Sequence, residues 1–316
     1  MTDVVVIGDG AAGLAAALPM ARMNLDVMVI GNNAQRNAMA TEMHAYLGHD
    51  GTAPKEFYSS SLDQLVRYEN VSATVGSVTS VDGSNDSFQV HLGARSIPAR
   101  RVLIATGAAD SPPSIEGMAE LWGHGVHHCP VCHGWEQRGK PVAVVAPGPA
   151  DLPVGLAMRL TWICRPVTLF TNSDQPLEAR TAAAVGALGI GVVYGNVLSI
   201  EGDRSTQVIH TAQGDYKANA VFTRAASRPR SAVAAAIGCR ILPSGHVEVD
   251  SSWRSSIDGV FAAGEVAKSL HGNSAGSNLI AAAAAGHHAG LSIFEDLWDS
   301  DVQRRIREFG SHLGHD

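Results

Sequence analysis

VVVIGDGAAG, residues 4–13, is the stretch from which the architecture of this chain can be predicted. The β-branched run at residues 4–7 is typical of a buried parallel strand, and residues 14–23 favour an Ala-rich helix. A second strand is expected over residues 26–30. A G-x-G-x-x-G motif between a strand and a helix indicates a dinucleotide-binding unit, because its glycines permit a tight turn, a close pyrophosphate and close helix packing.

One part of that pattern is missing. An acidic residue usually ends the second strand of a dinucleotide-binding unit, where its carboxylate binds the ribose hydroxyls. Here Gly31 occupies the position and is followed by Asn32 and Asn33. We therefore expect an Asn amide or backbone groups to make the ribose contact.

Length and composition bound the class of protein. A chain of 316 residues can bury two hydrophobic cores, so we expect two domains. The net charge is -7 and no stripe of Lys or Arg is present, which argues against a nucleic-acid partner. No uncharged apolar run approaches the roughly 20 residues of a membrane span, and no basic segment precedes the first strand. We expect a cytoplasmic protein without a signal peptide and without a membrane partner.

The stretch HHCPVCHGWE, residues 127–136, carries the most reactive side chains. It contains two of the four cysteines, Cys129 and Cys132, at a spacing that permits a redox-active disulfide. Two other interpretations stay open. Neighbouring histidines could complete a structural zinc site, and C-x-x-C-H is also the attachment signature of c-type haem. Cys164 and Cys239 stand in apolar surroundings and are expected to be core residues.

Four motifs resemble those of the low-molecular-weight thioredoxin reductase family of flavoproteins. They occur in the family's order at residues 8–13, 105–107, 129–132 and 259–265. The resemblance implies an α/β protein with two Rossmann-like, doubly wound, three-layer domains that assembles as a homodimer. It also implies FAD as the cofactor.

The resemblance further implies a domain organisation. An FAD-binding domain, discontinuous in sequence, would comprise residues 1–114 and 246–316. An inserted domain over residues 115–245 would carry the two cysteines on a degenerate NAD(P)H-binding fold. The FAD contacts carried over from the family are expected at Gly8, Gly10, Ala11, Ala12, Gly13, Asn32, Arg36, Asn37, His44, Val78, Ala105, Thr106, Gly107, Gly264, Glu265 and Asn278.

Within the family, CPVCHGWE at residues 129–136 is similar to one branch in particular. Ordinary thioredoxin reductases place Asp after the second cysteine, whereas this chain has His133. The branch with His at this position resembles the FAD-dependent dithiol oxidases that close disulfides in gliotoxin-, holomycin- and romidepsin-type natural products. That resemblance implies a small-molecule dithiol as substrate in secondary metabolite biosynthesis.

The inserted domain supplies an independent argument from its own residues. After a strand at residues 142–145, the turn that should again be glycine-rich has the sequence APGPAD, residues 146–151. Its first glycine is missing, its prolines lack two N–H donors, and Asp151 adds negative charge where phosphates would bind. No arginine follows the next strand, at residues 167–170, to pair with a 2′-phosphate. We expect this domain to keep the fold without binding NADPH.

These inferences predict an FAD-dependent dithiol oxidase in which electrons pass from the substrate through the cysteine pair and flavin to dioxygen, with hydrogen peroxide as by-product. The resemblance places Cys132 beside the flavin and Cys129 towards the substrate. His133 is the expected proton acceptor, because its reference pKa of about 6.5 suits transfer in both directions. His128 and Glu136 are possible supporting groups. The alternatives are an NAD(P)H-dependent reductase of a thioredoxin-like protein and a non-catalytic flavoprotein sensor.

Overall fold

The computed structural model describes residues 1–148, 151–269 and 278–313, with side chains up to residue 309. Its strands, in chain order, are β1 (Thr2–Ile7), β2 (Val27–Gly31), β3 (Val71–Val75), β4 (Ser80–Ser84), β5 (Ser87–Leu92), β6 (Arg95–Ile104), β7 (Ala108–Ser111), β8 (Val126–His127), β9 (Val142–Val145), β10 (Val167–Phe170), β11 (Gly191–Val193), β12 (Val197–Gly202), β13 (Gln207–Thr211), β14 (Gly214–Ala218), β15 (Ala220–Thr223), β16 (Ala226–Pro229), β17 (Val247–Val249), β18 (Val260–Ala262) and β19 (Ala267–Ser269). Its α-helices are α1 (Ala11–Arg22), α2 (Pro54–Leu65), α3 (Pro130–His133), α4 (Val154–Leu160), α5 (Ala179–Ala187), α6 (Ala232–Ala236) and α7 (Leu279–Leu313). Short 3-10 helices cover Trp135–Gln137 and Gly264–Val266.

The chain folds into two compact units, each discontinuous in sequence. The first unit comprises Met1–Ala38, Lys55–Ala109 and Arg228–Asp316. The second comprises Met39–Pro54 and Asp110–Ser227. The segments β7 and β16, at which the chain passes from one unit to the other, pair with each other.

These units differ from the domain boundaries expected from the sequence. Residues 228–245 lie in the first unit, because helix α6 buries Ala234 in a hydrophobic cluster with Cys239 and Val247. Residues 39–54 lie in the second unit. As a division into an FAD domain and an inserted redox domain, the expected boundaries stay a prediction.

A largely parallel sheet forms the centre of the first unit. Its order is β3-β2-β1-β6-β5-β4, and β18 pairs in parallel with the end of β6. The middle of β1, Val4 to Val6, is fully buried, as expected for a strand covered on both faces. Strands β2, β1, β6 and β18 run in the same direction, so the loops that follow them meet at one edge of the sheet, where α/β folds bind ligands.

Helices α1 and α7 pack closely on one another in the first unit. A Cβ on Gly286 would lie 1.9 Å from the carbonyl oxygen of Ala12, and one on Gly290 would lie 2.4 Å from that of Ala16. These two glycines therefore permit the close approach of α7 to α1. Although α7 contains 35 residues, neither it nor any other described helix is both long and apolar enough to cross a membrane.

The second unit contains a parallel sheet of its own. Its order is β11-β10-β9-β15-β8, and an antiparallel sheet β12-β13-β14 lies in the same unit. Strand β9 is fully buried along Val142–Val145, and α4 and β10 complete the β-α-β arrangement expected there. The α/β class with two Rossmann-like units is thus confirmed. The order changes direction between β9 and β15, which is the position where such sheets bind ligands.

Candidate active site

The cysteine pair lies at the start of the short helix α3 in the second unit. Cys129 and Cys132 are joined by a disulfide, with their Cα atoms 5.3 Å apart, and both residues are half-buried. Cys129 is the N-cap of α3, and its Sγ accepts a hydrogen bond of 3.1 Å from the backbone N–H of Cys132. Pro130 occupies the first turn, where its missing N–H leaves no helical hydrogen bond unmade. The sequence thus places a redox-active bond at a helix N-terminus that also favours a thiolate on Cys129.

His133, the last residue of α3, stacks on His127, the last residue of β8. Their ring centroids lie 4.2 Å apart, with 18° between the ring planes. Burial, followed by the electrostatic influence of His128 and His44, lowers the pKa of His133 to about 4. Burial, with His133 as the next cause, lowers the pKa of His127 to about 3. Both rings are therefore neutral at pH 7.

The nitrogens of this stacked pair are unusual in their hydrogen bonding. Within the described residues, neither ring nitrogen of His133 has a hydrogen-bond partner, and neither has Nδ1 of His127. Buried polar atoms normally have partners, and exceptions often mark a catalytic role or a missing ligand. The His133 ring is thus available to exchange a proton with a group that arrives beside it.

The two expected supporting groups, His128 and Glu136, make no hydrogen bond to the ring of His133. His128 is exposed, and its ring stacks on Trp122 with centroids 5.6 Å apart. Oε1 of Glu136 lies 3.6 Å from Nε2 of His44. Glu136 therefore does not orient the ring of His133 through a hydrogen bond.

His44 was expected among the FAD contacts. It lies in the second unit, where it approaches Glu136 and influences the pKa of His133. Nδ1 of His44 lies 3.5 Å from Asp50, and Nε2 lies 3.6 Å from Glu42. The sequence did not indicate this link to α3, because residues 32–56 are irregular and have no periodic pattern that would place His44. A direct contact of His44 with FAD stays a prediction.

The glycine-rich turn after β1 has the geometry that a pyrophosphate requires. Gly8 has φ +126°, and a Cβ there would lie 2.2 Å from the carbonyl oxygen of Ala105. A Cβ on Gly13 would lie 1.9 Å from the carbonyl oxygen of Gly8. Around Gly10, in contrast, a Cβ would meet nothing within 4 Å, so the backbone there is open to a ligand. Gly10 caps α1 without a side-chain hydrogen bond, which leaves the first N–H groups of this helix for an anion. These residues fit FAD.

The loops after β6 and β18 complete this edge of the first unit. Thr106 Oγ1 donates a hydrogen bond of 2.7 Å to the carbonyl oxygen of Arg230, and Gly107 has φ +67°. Gly264 has φ +77° and lies so close to Ala12 that a Cβ would be 2.8 Å from the methyl carbon of that residue. Val78 is half-buried and packs against the core of the same unit. The expected FAD residues from three separate strand ends are therefore brought to one edge.

Two charged residues expected to contact FAD are paired with each other. The guanidinium of Arg36 makes a salt bridge to the carboxylate of Glu265. Nearby, Tyr58 donates a hydrogen bond of 3.0 Å to Oδ1 of Asn37. Burial, then the carboxylates of Asp9 and Glu265, raises the pKa of this Tyr58 hydroxyl above its ordinary value, so it stays a donor. No sequence motif indicated Tyr58, because nothing in α2 marks the face that turns towards the glycine-rich loop.

Asn278 is the N-terminal neighbour of α7. Its Oδ1 accepts a hydrogen bond of 2.8 Å from the backbone N–H of Ala281, so it caps this helix. Ser277, the residue before it, lies outside the described residues. The FAD contact of Asn278 stays a prediction.

The second β-α-β unit has a turn unlike the glycine-rich turn of the first. Pro147 and Asp151 follow β9, and Arg224 Nη1 donates a hydrogen bond of 2.9 Å to Asp151 Oδ1 in a salt bridge. Pro149 and Ala150 lie outside the described residues. Arg224 was not singled out from the sequence, because it follows β15 and not the strand that usually carries the phosphate-binding arginine. The salt bridge places a carboxylate at a cation that could otherwise bind phosphate.

An open pocket of about 570 Å³ lies at this end of the second sheet. It is lined by the residues that follow β9 and β15, including Pro147, Asp151 and Arg224, and by His128, the neighbour of Cys129. Prolines 112 and 113 form another part of its wall. This volume is in the range that holds small molecules.

The two remaining cysteines lie in different hydrophobic cores, Cys164 in the second unit and Cys239 in the first. Cys164 and Cys239 are buried free thiols, which confirms that they are core residues, and burial raises the pKa of Cys164 to about 11. Among the residues that the structure describes, no group of three or more His, Cys, Asp or Glu side chains is arranged to hold a metal ion. The disulfide between Cys129 and Cys132 presents the pair in a redox form, without the thiolates that zinc requires.

Comparisons with known proteins agree with this fold and site. The family described as pyridine nucleotide-disulphide oxidoreductase matches residues 2–290. Thioredoxin reductase tcpT of Claviceps purpurea is 31% identical over 97% of this chain and 98% of that protein. Thioredoxin reductase sirT of Leptosphaeria maculans is 27% identical over 85% of this chain and 88% of its own length.

Solved structures show the same likeness. The structure of HlmI has 30% sequence identity and a TM-score of 0.88, and the match covers 99% of this chain and 97% of that one. An oxidoreductase from Agrobacterium tumefaciens has 30% identity and a TM-score of 0.83 over 94% of this chain and 99% of its own.

Two Rossmann-like units, a glycine-rich turn that fits FAD and a C-x-x-C disulfide define a flavin-dependent thiol–disulfide oxidoreductase that uses FAD. The chain belongs to the pyridine nucleotide-disulphide oxidoreductase family. The resemblance to thioredoxin reductase-like enzymes of the dithiol oxidase branch, inferred from the motifs alone, is confirmed by these relatives.

Proposed function

We propose that this chain is an FAD-dependent dithiol oxidase that forms an intramolecular disulfide in a small-molecule dithiol of secondary metabolism. In this proposal Cys129 and Cys132 exchange with the substrate, His133 moves protons, dioxygen is the electron acceptor and the active form is a homodimer. The observation that carries the direction of electron flow is the turn after β9. Pro147 contributes no N–H donor to this turn, and Asp151, which pairs with Arg224, places negative charge where the phosphates of a nicotinamide dinucleotide would bind.

The pocket beside that turn supports a small molecule as substrate. Its lining combines prolines with one ion pair and the exposed ring of His128, one residue before Cys129. Two serines, Ser111 and Ser114, also line the pocket, so its prolines and alanines share the wall with groups that can hydrogen-bond to a small molecule. We assign this pocket, at the vestigial dinucleotide position, to part of the substrate.

The exchange steps follow from the chemistry of the pair. A substrate thiolate attacks Sγ of Cys129, the bond between the two cysteines breaks, and Cys132 leaves as a thiolate. The second substrate thiolate then attacks the substrate sulfur of this mixed disulfide, so that the product disulfide forms and Cys129 leaves as a thiolate. The N–H of Cys132, 3.1 Å from Sγ of Cys129, stabilises this leaving thiolate. The substrate loses two electrons and two protons, and the cysteine pair gains the two electrons.

His133 is suited to receive one of those protons. With a pKa of about 4 beside the intact disulfide, its ring is neutral and unable to donate. When Cys132 becomes a thiolate next to it in the chain, the new negative charge favours the imidazolium and raises the pKa of the ring. The stack with His127 fixes the ring without using its nitrogens, which stay available for the proton.

FAD, when bound, supplies the two-electron chemistry that returns the cysteine pair to the disulfide, and the proposed acceptor of those electrons is dioxygen. The net reaction is then one dithiol and one dioxygen to one disulfide and one hydrogen peroxide. This chain's contribution is to bind the cofactor through the turn after β1, to exchange thiols and to hold the protons.

A rapid-mixing experiment under anaerobic conditions tests the direction of electron flow. Dithiothreitol should bleach the flavin absorbance of the holoenzyme, whereas NADPH should leave the flavin oxidised. In air, each mole of dithiol oxidised should release one mole of peroxide, and Cys132→Ser should abolish the reaction without loss of bound FAD. Fast flavin reduction by NADPH would contradict the proposal.

A second candidate is a reductase of a thioredoxin-like protein, which the names of the two fungal relatives favour. It requires NADPH to reduce the flavin and a protein disulfide to accept the electrons. The same mixing experiment distinguishes the two, because only the reductase turns over with NADPH and a thioredoxin.

A further inference from the structure

The unassigned ribose contact of the FAD site has a candidate that lies in the glycine-rich turn itself. We propose that Asp9 binds the adenosine ribose hydroxyls of FAD, in place of the acidic residue that is missing from the end of β2. This inference concerns cofactor binding and holds whichever way the electrons flow.

The first observation is steric. An ideal Cβ on Gly31 would lie 2.0 Å from Cγ, 2.2 Å from Cβ and 2.4 Å from Oδ2 of Asp9. The side chain of Asp9 thus fills the volume into which a side chain at the end of β2 would project. Because the carboxylate that binds ribose in dinucleotide folds extends from this strand end, Asp9 brings the same group to the same place from the neighbouring strand.

The second observation is the state of the carboxylate. Oδ2 of Asp9 accepts a hydrogen bond of 3.2 Å from the backbone N–H of Asn33, which has φ +56° and turns its N–H towards the side chain. Oδ1 accepts no hydrogen bond from the described residues, and no described Arg, Lys or His forms a salt bridge with Asp9. The carboxylate is held by one oxygen and presents the other, which is what a ribose hydroxyl donor needs.

The third observation concerns Asn32, the other residue that could bind the ribose hydroxyls. Asn32 was expected to replace the missing carboxylate, yet both ends of its amide are engaged within the protein. Its Oδ1 accepts a hydrogen bond of 3.2 Å from the N–H of Ala34, and its Nδ2 donates one of 3.3 Å to Ser77 Oγ. Asp9 also precedes the N-terminus of α1, whose dipole favours a negative charge there.

Calorimetric titration of the full chain, stripped of flavin, tests the proposal with FAD and with FMN, which lacks the adenosine ribose. Asp9→Asn keeps the size of the side chain and an acceptor for the Asn33 N–H but removes the charge. It should weaken FAD binding about 10- to 100-fold, the usual effect of losing a hydrogen bond to a charged group, and leave FMN binding unchanged. Asp26→Asn, on an exposed residue just before the opposite end of β2, is the matched control and should change neither.

A relocation variant supplies an independent result. Asp9→Gly combined with Gly31→Asp returns the carboxylate to the end of β2 and should recover at least tenfold of the FAD affinity lost in Asp9→Gly. The proposal is overturned if Asp9→Asn binds FAD within twofold of the wild type, or if it weakens FMN as much as FAD. It is also overturned if the relocation variant, with wild-type circular dichroism and FMN affinity, recovers no FAD affinity.

Discussion

Replacement of Gly286 by Ala should destabilise the first unit and weaken FAD binding together. The new Cβ would lie 1.9 Å from the carbonyl oxygen of Ala12, and its separation must increase to at least 3.0 Å, which real Cβ contacts require. The carbonyl oxygen of Ala12 belongs to the backbone of a helix and cannot rotate out of the way. We therefore take the destabilisation at the upper end of the range for overpacking, about 3 kcal/mol. Alanine returns about 1 kcal/mol through its helix propensity. The net loss is about 2 kcal/mol, equivalent to a fall of about 4–8 °C in the unfolding midpoint.

Gly186→Ala is the matched control for this prediction. Gly186 is exposed in α5, and a Cβ there would meet nothing within 4 Å, so only the helix propensity changes and the midpoint should stay or rise slightly. Calorimetric unfolding of both variants, with and without FAD, measures the effect. Because Ala12 belongs to the first turn of α1, FAD affinity should fall for Gly286→Ala alone. An unchanged or raised midpoint for Gly286→Ala would refute the packing argument.

Three further outcomes are expected. In the folded state the pKa values of His127 and His133 are about 3 and about 4, below the ordinary value of about 6.5. The unfolded chain therefore binds more protons than the folded chain in this range. Stability should fall as the pH drops from about 6.5 towards 4. The His127→Gln/His133→Gln variant should flatten this fall in unfolding midpoints measured against pH, and an equal slope would contradict it. Cys132→Ser, which leaves Cys129 as a free thiol, should form a mixed disulfide at Cys129 with a small linear disulfide probe and release one probe thiol, visible by intact mass. A probe adduct on Cys132 in the Cys129→Ser variant alone would reverse the assignment. Arg36→Gln should weaken FAD binding by leaving the carboxylate that it pairs with uncompensated, which titration with FAD checks; unchanged affinity would exclude that role.

Much of the fold follows from local sequence. The run of valines before Gly8 and the glycine spacing after it can form a buried strand and a tight turn only in one arrangement, and the structure has it. The second unit was predictable in the same way from the valines at residues 142–145. The positions at which the chain passes from one unit to the other were not predictable from the sequence. Ala234 and Cys239 are small apolar residues that fit either core.

The candidate site was predictable to a different degree. The spacing of the C-x-x-C pair was enough to identify it in the sequence. The stack of His127 on His133 depends on the angle between β8 and α3, and no local sequence pattern predicts that angle. Arg224 and Asp151 lie 73 residues apart and meet only because β9 and β15 are neighbours in the sheet. His44 reaches Glu136 from a loop of irregular sequence.

The contact between Asp9 and the strand end at Gly31 restricts the order in which this family member can change. While the aspartate stands, any side chain at position 31 meets occupied space, so that strand end cannot mutate first. While Gly31 stands, shortening the aspartate leaves a cavity and a bare strand end. An evolutionary exchange of the two residues must therefore pass through a protein with no carboxylate at position 9 or position 31. Unless that intermediate remains functional, later proteins of this lineage keep the aspartate at position 9.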